Sequence, residues 1–265
     1  MSTFVYRSTF VPHAGQKDIW DSKARFRVVR AGRRFGKTKL GIAWLIEQAI
    51  RAPGEDFFYV SPSYRMSREI GYCEFDAQLP AEIVAKKSER DIFFELVNGS
   101  RIMLKGSSDD EQNLRGRRLG ALLMDEAAFQ KPHVYPEILA PALADLKAPV
   151  MFISSPRRGW FTQLCETAAS GRFKDFQFWH KTIYDNPLIA RDEIERIKAM
   201  TSELVWRTEY MAEESEQAGQ VYLEFSNRNI VNATERFPRH MTWPCVVGID
   251  WGMDDSTGVA WLHVA

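Results

Sequence analysis

Cysteine is scarce in this chain, and the three present, Cys73, Cys165 and Cys245, are far apart, odd in number and without C-x-x-C spacing. That removes a disulfide framework and a cysteine zinc site from consideration and fits a reducing compartment. No apolar run approaches the roughly 18 residues a membrane-spanning helix needs. Met1–Phe10 mixes polar and aromatic residues instead of pairing a basic segment with an apolar one, so the expectation is a protein neither exported nor membrane-spanning. Charge of one sign is missing too: 35 Lys and Arg balance 35 Asp and Glu, so no global field announces nucleic acid. Repeats and low-complexity tracts are absent. What is there is 265 residues, 45% apolar and 26% charged, enough to bury a sizeable core in one or two domains.

The most informative stretch is Ala31-Gly32-Arg33-Arg34-Phe35-Gly36-Lys37-Thr38, the A/G-x-x-x-x-G-K-T pattern of a phosphate-binding loop. Phe26-Arg27-Val28-Val29 before it suits a buried strand, and Ile42, Leu45, Ile46 and Ala49 after it fall at helical spacing. In a strand–loop–helix unit the loop N–H groups and the helix N-terminus face a polyphosphate, Lys37 reaches the outer phosphates, and the Thr38 hydroxyl ligates Mg²⁺. A nucleoside triphosphate is the expected ligand. The plainer alternative is a Gly-bearing basic turn before an ordinary amphipathic helix.

Ala121-Leu122-Leu123-Met124-Asp125-Glu126 is a fully apolar run ending in two carboxylates. It reads as a central parallel strand, whose carboxyl end is where ligands bind in open α/β sheets. Asp125 is then placed to hold Mg²⁺ through water, and Glu126 to accept a proton from the water that attacks the γ-phosphate. Alternatively the two acids cap a helix beginning at Ala127.

Lys23, Arg25, Arg27, Arg30, Arg33, Arg34, Lys37 and Lys39 crowd the loop region, and Arg115, Arg117 and Arg118 crowd the approach to the acid-tipped strand. The first cluster faces either nucleotide and solvent or DNA.

Further apolar runs at Phe57–Val60 and Val150–Ile153 read as strands, and Ile92–Val97 turning at Asn98-Gly99 into Arg101–Leu104 reads as a hairpin. With helices near 38–51, 64–79, 160–170 and 191–213, the pattern is α/β with a mostly parallel sheet. An acidic, small-residue stretch at Glu213–Gly219 and a break at Arg236–Arg239 place a linker over 214–243. Beyond it, Cys245–Gly252 and Gly258–Leu262 give strand, acid, turn, strand, with Asp250 as the acid. That is either an ordinary hairpin or the opening of an RNase H-like fold, in which Asp250 is the first carboxylate of a two-metal centre.

Together these motifs resemble the large subunit of tailed-bacteriophage terminases over nearly the whole chain. Gln16 in Pro12-His13-Ala14-Gly15-Gln16 resembles that family's adenine-recognising glutamine, and Tyr59–Tyr64 follows its second-strand pattern. Arg33 matches the arginine of its phosphate loop, Ser154-Ser155-Pro156 its coupling motif, and Asp185-Asn186-Pro187 through Tyr210 its lid. Ile249-Asp250-Trp251-Gly252 resembles the start of its nuclease domain.

The resemblance implies a P-loop NTPase of RecA-like (ASCE) type. An ATPase domain would cover 1–213 with a small helical lid at 185–213, followed by the linker 214–243 and a nuclease fragment at 244–265. It implies ATP held by Gln16 and by Ala31, Gly32, Arg33, Arg34, Phe35, Gly36, Lys37 and Thr38, with Mg²⁺ on Thr38 and Asp125. Lys37 and Arg33 would spread transition-state charge and Glu126 would act as base. A neighbouring subunit would contribute an arginine, Arg115 in Asn113-Leu114-Arg115-Gly116 or else Arg117 or Arg118. The implied function is ATP-driven translocation of double-stranded DNA into procapsids in the host bacterial cytoplasm; a helicase-like or other DNA-remodelling P-loop ATPase is the alternative. The implied partners are portal protein, procapsid, small terminase subunit and copies of itself in a ring, with a monomer expected in isolation. Asp250 alone makes an incomplete metal centre, so DNA cleavage by this chain is not expected.

Overall fold

The computed structural model describes residues 9–108, 111–214, 245–250 and 258–263. The chain separates into two units, Met1–Ala218 and Gly219–Ala265. The first contains eight strands: β1 (Phe26–Ala31), β2 (Asp56–Ser61), β3 (Val84–Ser88), β4 (Phe93–Leu96), β5 (Arg101–Gly106), β6 (Leu119–Asp125), β7 (Val150–Ser154) and β8 (Phe176–Lys181). Their order in the sheet is β3-β4-β5-β2-β6-β7-β1-β8. The strands from β5 through β8 run parallel, and β4 runs antiparallel to both its neighbours.

Because neighbouring side chains of a strand face opposite ways, each central strand feeds two cores. On one side Val29, Phe57, Tyr59, Leu123 and Ile153 pack with Trp44, Leu45 and Phe75. On the other Val28, Phe58, Leu122, Met124 and Phe152 pack with Ile138, Leu143 and Phe161. Helices on both faces explain why β6 and β7 are continuous apolar runs without alternation. The sheet order separates β1 from β6 by β7 alone, so the turns leaving their carboxyl ends are about 10 Å apart.

The expected hairpin is present, with Gly99 at φ +82° supplying the left-handed turn residue between β4 and β5. Two strands carry no continuous apolar run and escape a sequence reading. β3, Val-Ala-Lys-Lys-Ser, is a largely exposed edge strand, and β8, Phe-Gln-Phe-Trp-His-Lys, is the opposite edge. Helix α1 (Ala14–Trp20) and the helical stretch from Val134 to Ala144 are also additions; prolines at 136 and 141 hide the periodicity of the latter. Helix α2 (Lys37–Arg51) falls where expected.

The expected single helix over 191–213 is in fact broken. It ends at Ala199, and a second helical segment starts at Glu203, where the Ser202 hydroxyl accepts from the Val205 N–H as an N-cap. These segments enclose a small core of Ile183, Ile194 and Trp206.

In the second unit β9 (Cys245–Asp250) and β10 (Gly258–His263) pair antiparallel with Asp250 opposite Gly258. The expected linker, apart from Glu214, lies outside the described residues. Among the described residues no helix is long and apolar enough to cross a membrane.

Candidate active site

β1 ends at Ala31 and α2 begins at Lys37, so the motif is a turn from strand to helix. Gly36, at φ +92°, is the left-handed residue immediately before α2. A side chain there would be strained, which explains the glycine. The free N–H groups of the first turn of α2 then open onto the loop, the arrangement that suits a phosphate. Lys37 is largely buried, and its Nζ lies 3.2 Å from Glu126 Oε1. Two motifs almost ninety residues apart in sequence thus meet in one ion pair.

Asp125, at the carboxyl end of β6, is fully buried. The Tyr59 hydroxyl donates to its Oδ2 at 2.8 Å, while Thr38 Oγ1 at 3.4 Å and the Glu126 N–H at 2.9 Å share Oδ1. Gln130 locks the strand end by donating to the carbonyls of Asp125 and Val60. Burial and the neighbouring Glu126 charge raise the Asp125 carboxyl to about 6, although Tyr59, Lys37 and Thr38 oppose the rise. Two acids with one lysine leave the site short of positive charge. A divalent cation beside Thr38 and Asp125 would correct that, so the donor set fits Mg²⁺. Among the described residues no larger cluster of metal-ligating side chains exists.

Glu126 has φ +46°, a strained position for a residue with a side chain. The helix-capping alternative does not hold for it: a short turn, Ala127–Phe129, follows, but its carboxylate makes no cap. Instead Oε2 accepts from Ser154 Oγ at 3.3 Å, Ser155 N–H at 3.3 Å and Ser155 Oγ at 3.2 Å. The serines of the Ser154-Ser155-Pro156 motif therefore touch the acid directly.

Gln16 is buried at the start of this region, its amide donating to the Gly36 carbonyl at 3.1 Å. From the other side the segment that follows β8 grips the loop. Asn186 donates to the Arg34 carbonyl at 2.7 Å, and Arg33 uses both its N–H and its guanidinium on Glu209, the latter at 2.5 Å. That hydrogen bond and charge hold the Arg33 guanidinium above its ordinary pKa. Gly32 is required by contact: a Cβ there would stand 2.0 Å from the Tyr210 carbonyl oxygen.

The structure does not bring Arg115, Arg117 or Arg118 to this site. All three are exposed beyond the amino end of β6, about 20 Å of strand away from Asp125. Arg117 pairs with Asp56 at 2.8 Å and Arg118 with Glu55 at 2.7 Å, whereas Arg115 makes no ion pair among the described residues. The basic cluster of residues 23–39 is also corrected. β1 divides it, leaving Arg33, Arg34 and Lys37 at the loop and Lys23, Arg25 and Arg27 at the opposite end of the sheet.

Sequence reading missed four contributors: Tyr59, Gln130, Asn186 and Glu209. Tyr59 opens the stretch Tyr59–Tyr64 that follows the family pattern, but it sits inside an apolar run where nothing local assigns its hydroxyl to Asp125. Asn186 and Glu209 lie within the stretch read as the lid, but their partners are fixed only by folding.

The family described as terminase large subunit, T4likevirus-type, N-terminal matches residues 28–227. The chain is similar to the terminase large subunit of Escherichia phage T5, at 26% identity over 252 residues, 90% of this chain and 56% of that protein. Similarity to the terminase large subunit of Thermus virus P23-45 is 25% over 236 residues, covering 77% and 49%. The chain thus spans about half the length of the curated relatives it matches.

Among solved structures, the Thermus phage P74-26 large terminase ATPase domain overlays with a TM-score of 0.66 at 22% identity, covering 77% of this chain and 94% of that one. The large terminase of a thermophilic bacteriophage, solved in complex with ADP, overlays at 0.65 and 16% identity, covering 95% and 65%. These likenesses establish the fold, a RecA-like P-loop fold with a mostly parallel eight-stranded sheet. On the match over 28–227, this chain belongs to the terminase large subunit N-terminal family.

Proposed function

We propose that this chain is the ATP-hydrolysing part of a motor that drives double-stranded viral DNA into procapsids in the host bacterial cytoplasm. The observation that carries the reading is the meeting of Lys37 with Glu126 at 3.2 Å, beside Thr38 and Asp125. Bound through Thr38 and Asp125, Mg²⁺ would neutralise charge on the triphosphate oxygens.

The remaining chemistry belongs to side chains. Lys37 and Glu126 are each other's counter-ions here, so a triphosphate that draws Lys37 away leaves Glu126 free to orient and deprotonate water. Arg33, once released from Glu209, adds a second cation at the loop. Because Ser154 and Ser155 donate to the same carboxylate, a change in the charge of Glu126 alters their bonds and shifts the segment leading to Pro156. The lid contacts through Asn186 and Glu209 carry loop movement outward.

Arg115, remote from its own site and without an ion pair among the described residues, acts on a neighbouring subunit's site in a homo-oligomeric ring; the isolated chain is a poor, largely monomeric ATPase. Portal protein, procapsid and a small terminase subunit are the further partners. Residues 244–265 begin a nuclease domain, with Asp250 its first carboxylate.

The test is a pair of variants. Lys37→Ala should weaken triphosphate binding, whereas Glu126→Gln should retain binding and lose about 10²–10⁴-fold in turnover. Turnover by Glu126→Gln within about threefold of the parent refutes the base assignment.

A further inference from the structure

At the amino end of β1, opposite the loop, a cavity of about 420 Å³ is walled by Trp20, Trp44 and a set of cations. Arg27 also lines it and is only 7% exposed. Its guanidinium lies over the Trp44 ring, 5.3 Å from the ring centre, and one nitrogen donates to the Ser22 carbonyl. Nε and Nη1 of Arg27, and Nε1 of Trp44, are buried with no acceptor. Burial lowers the Arg27 pKa to about 10.

All three unmatched atoms at this spot are donors. Native proteins seldom leave such groups unpaired, because each costs about 1–3 kcal/mol. Around them stand Lys23, Arg25, Arg51 and Lys147. The two acids in the wall are already engaged, Asp21 by Lys17 at 2.8 Å and Glu47 by Arg51. The C-terminal end of α2 adds about half a negative charge, which the cations outweigh. Donors without acceptors, a buried guanidinium and a cationic rim select a ligand that only accepts hydrogen bonds and carries negative charge.

We propose that this cavity is a second phosphate-binding site, distinct from the nucleotide loop, with Arg27 and Trp44 as the donors and Lys23 and Lys147 as the rim. Phosphate chemistry reaches it either as the free anion or as a phosphodiester of DNA.

The experiment uses the full chain carrying Lys37→Ala, which disables the loop, and titrates inorganic phosphate by calorimetry. One phosphate should still bind. Adding Lys23→Ala and Lys147→Ala, both at exposed positions, should weaken it by about threefold to tenfold. Adding Arg27→Gln should abolish it. The exposed pair keeps the test decisive if Arg27→Gln fails to fold. No phosphate bound in the Lys37→Ala chain, or affinity indifferent to Lys23 and Lys147, overturns the proposal. A 12-base-pair duplex added in competition identifies the source: displacement of phosphate that is lost in the Lys23 and Lys147 variant assigns a DNA phosphodiester, and phosphate binding unaffected by duplex assigns the free anion.

Discussion

The two ends of the sheet are both rich in cations and treat them in opposite ways. At the carboxyl ends of the strands Lys37 and Arg33 have carboxylate partners, Glu126 and Glu209, each on a neighbouring segment. At the amino ends Arg27 has a ring to stack on and a carbonyl to bond, and two of its nitrogens face no acceptor. The helix between the ends matters as well. α2 presents its N-terminus to the loop and its C-terminus to the far cavity, so one end favours an anion through backbone groups and the other depends on side chains alone. Paired charges exchange partners readily when a ligand arrives, which suits a site that must turn over. Unpaired buried donors are a standing cost that only an acceptor removes.

The largest effect expected from this contrast is between subunits. Arg115 stands beyond the amino end of β6 and the acids at its carboxyl end, so about 20 Å of strand separates them within one chain. Mixing Arg115→Ala, which keeps loop and acids, with Glu126→Gln, which keeps the arginine, should restore part of an activity that a trans arginine typically multiplies by about 10³–10⁵. Steady-state ATPase assays at rising protein concentration read it. A mixture no more active than the sum of its parts, where the parent assembles, makes Arg115 a local surface residue.

Next comes pH. Asp125 ionises at about 6 against an ordinary 3.8, so between those values the folded chain holds a proton that the unfolded chain has released. Its contribution to stability is therefore full below about pH 4 and declines as pH rises through about 6, by roughly 2 to 3 kcal/mol in all. Denaturant unfolding of the parent and of Asp125→Asn in chelator, compared from pH 4 to 7, should show the parent losing that much relative to the variant. A constant difference would show that Asp125 is not desolvated. Mg²⁺ should reverse the loss at neutral pH.

Smaller is the effect of Tyr59→Phe. It removes one of the donors that hold Asp125, so half-saturation by Mg²⁺ should rise about tenfold while ATP binding in chelator stays put. A change in both would make Tyr59 a packing residue only. The phosphate titration with Lys23→Ala and Lys147→Ala probes the other end of the sheet and carries the smallest expected shift.

The motifs that choose the chemistry were legible in the chain because they are local. Ala31–Thr38 must be a loop between strand and helix, since Gly36 tolerates the left-handed turn and Lys37 opens an amphipathic run. Leu122–Met124 must be a buried strand, since it has no polar side to show water. Local pattern also yields the Asn98-Gly99 hairpin. It does not yield β3 and β8, whose edge positions need no apolar run, or the break at Ser202, where one hydroxyl captures an N–H.

What only the tertiary structure decided is who meets whom across the sheet. Lys37 faces Glu126 because only β7 lies between β6 and β1, and no spacing in the sequence encodes that order. Arg27 and Arg33, six positions apart and both arginines, go to opposite ends of the sheet because the extended β1 carries the chain about 13 Å from Arg27 to Ala31 before the loop begins. Sequence sets the chemical groups and their local conformation; distance between remote groups follows from strand order and the packing that selects it.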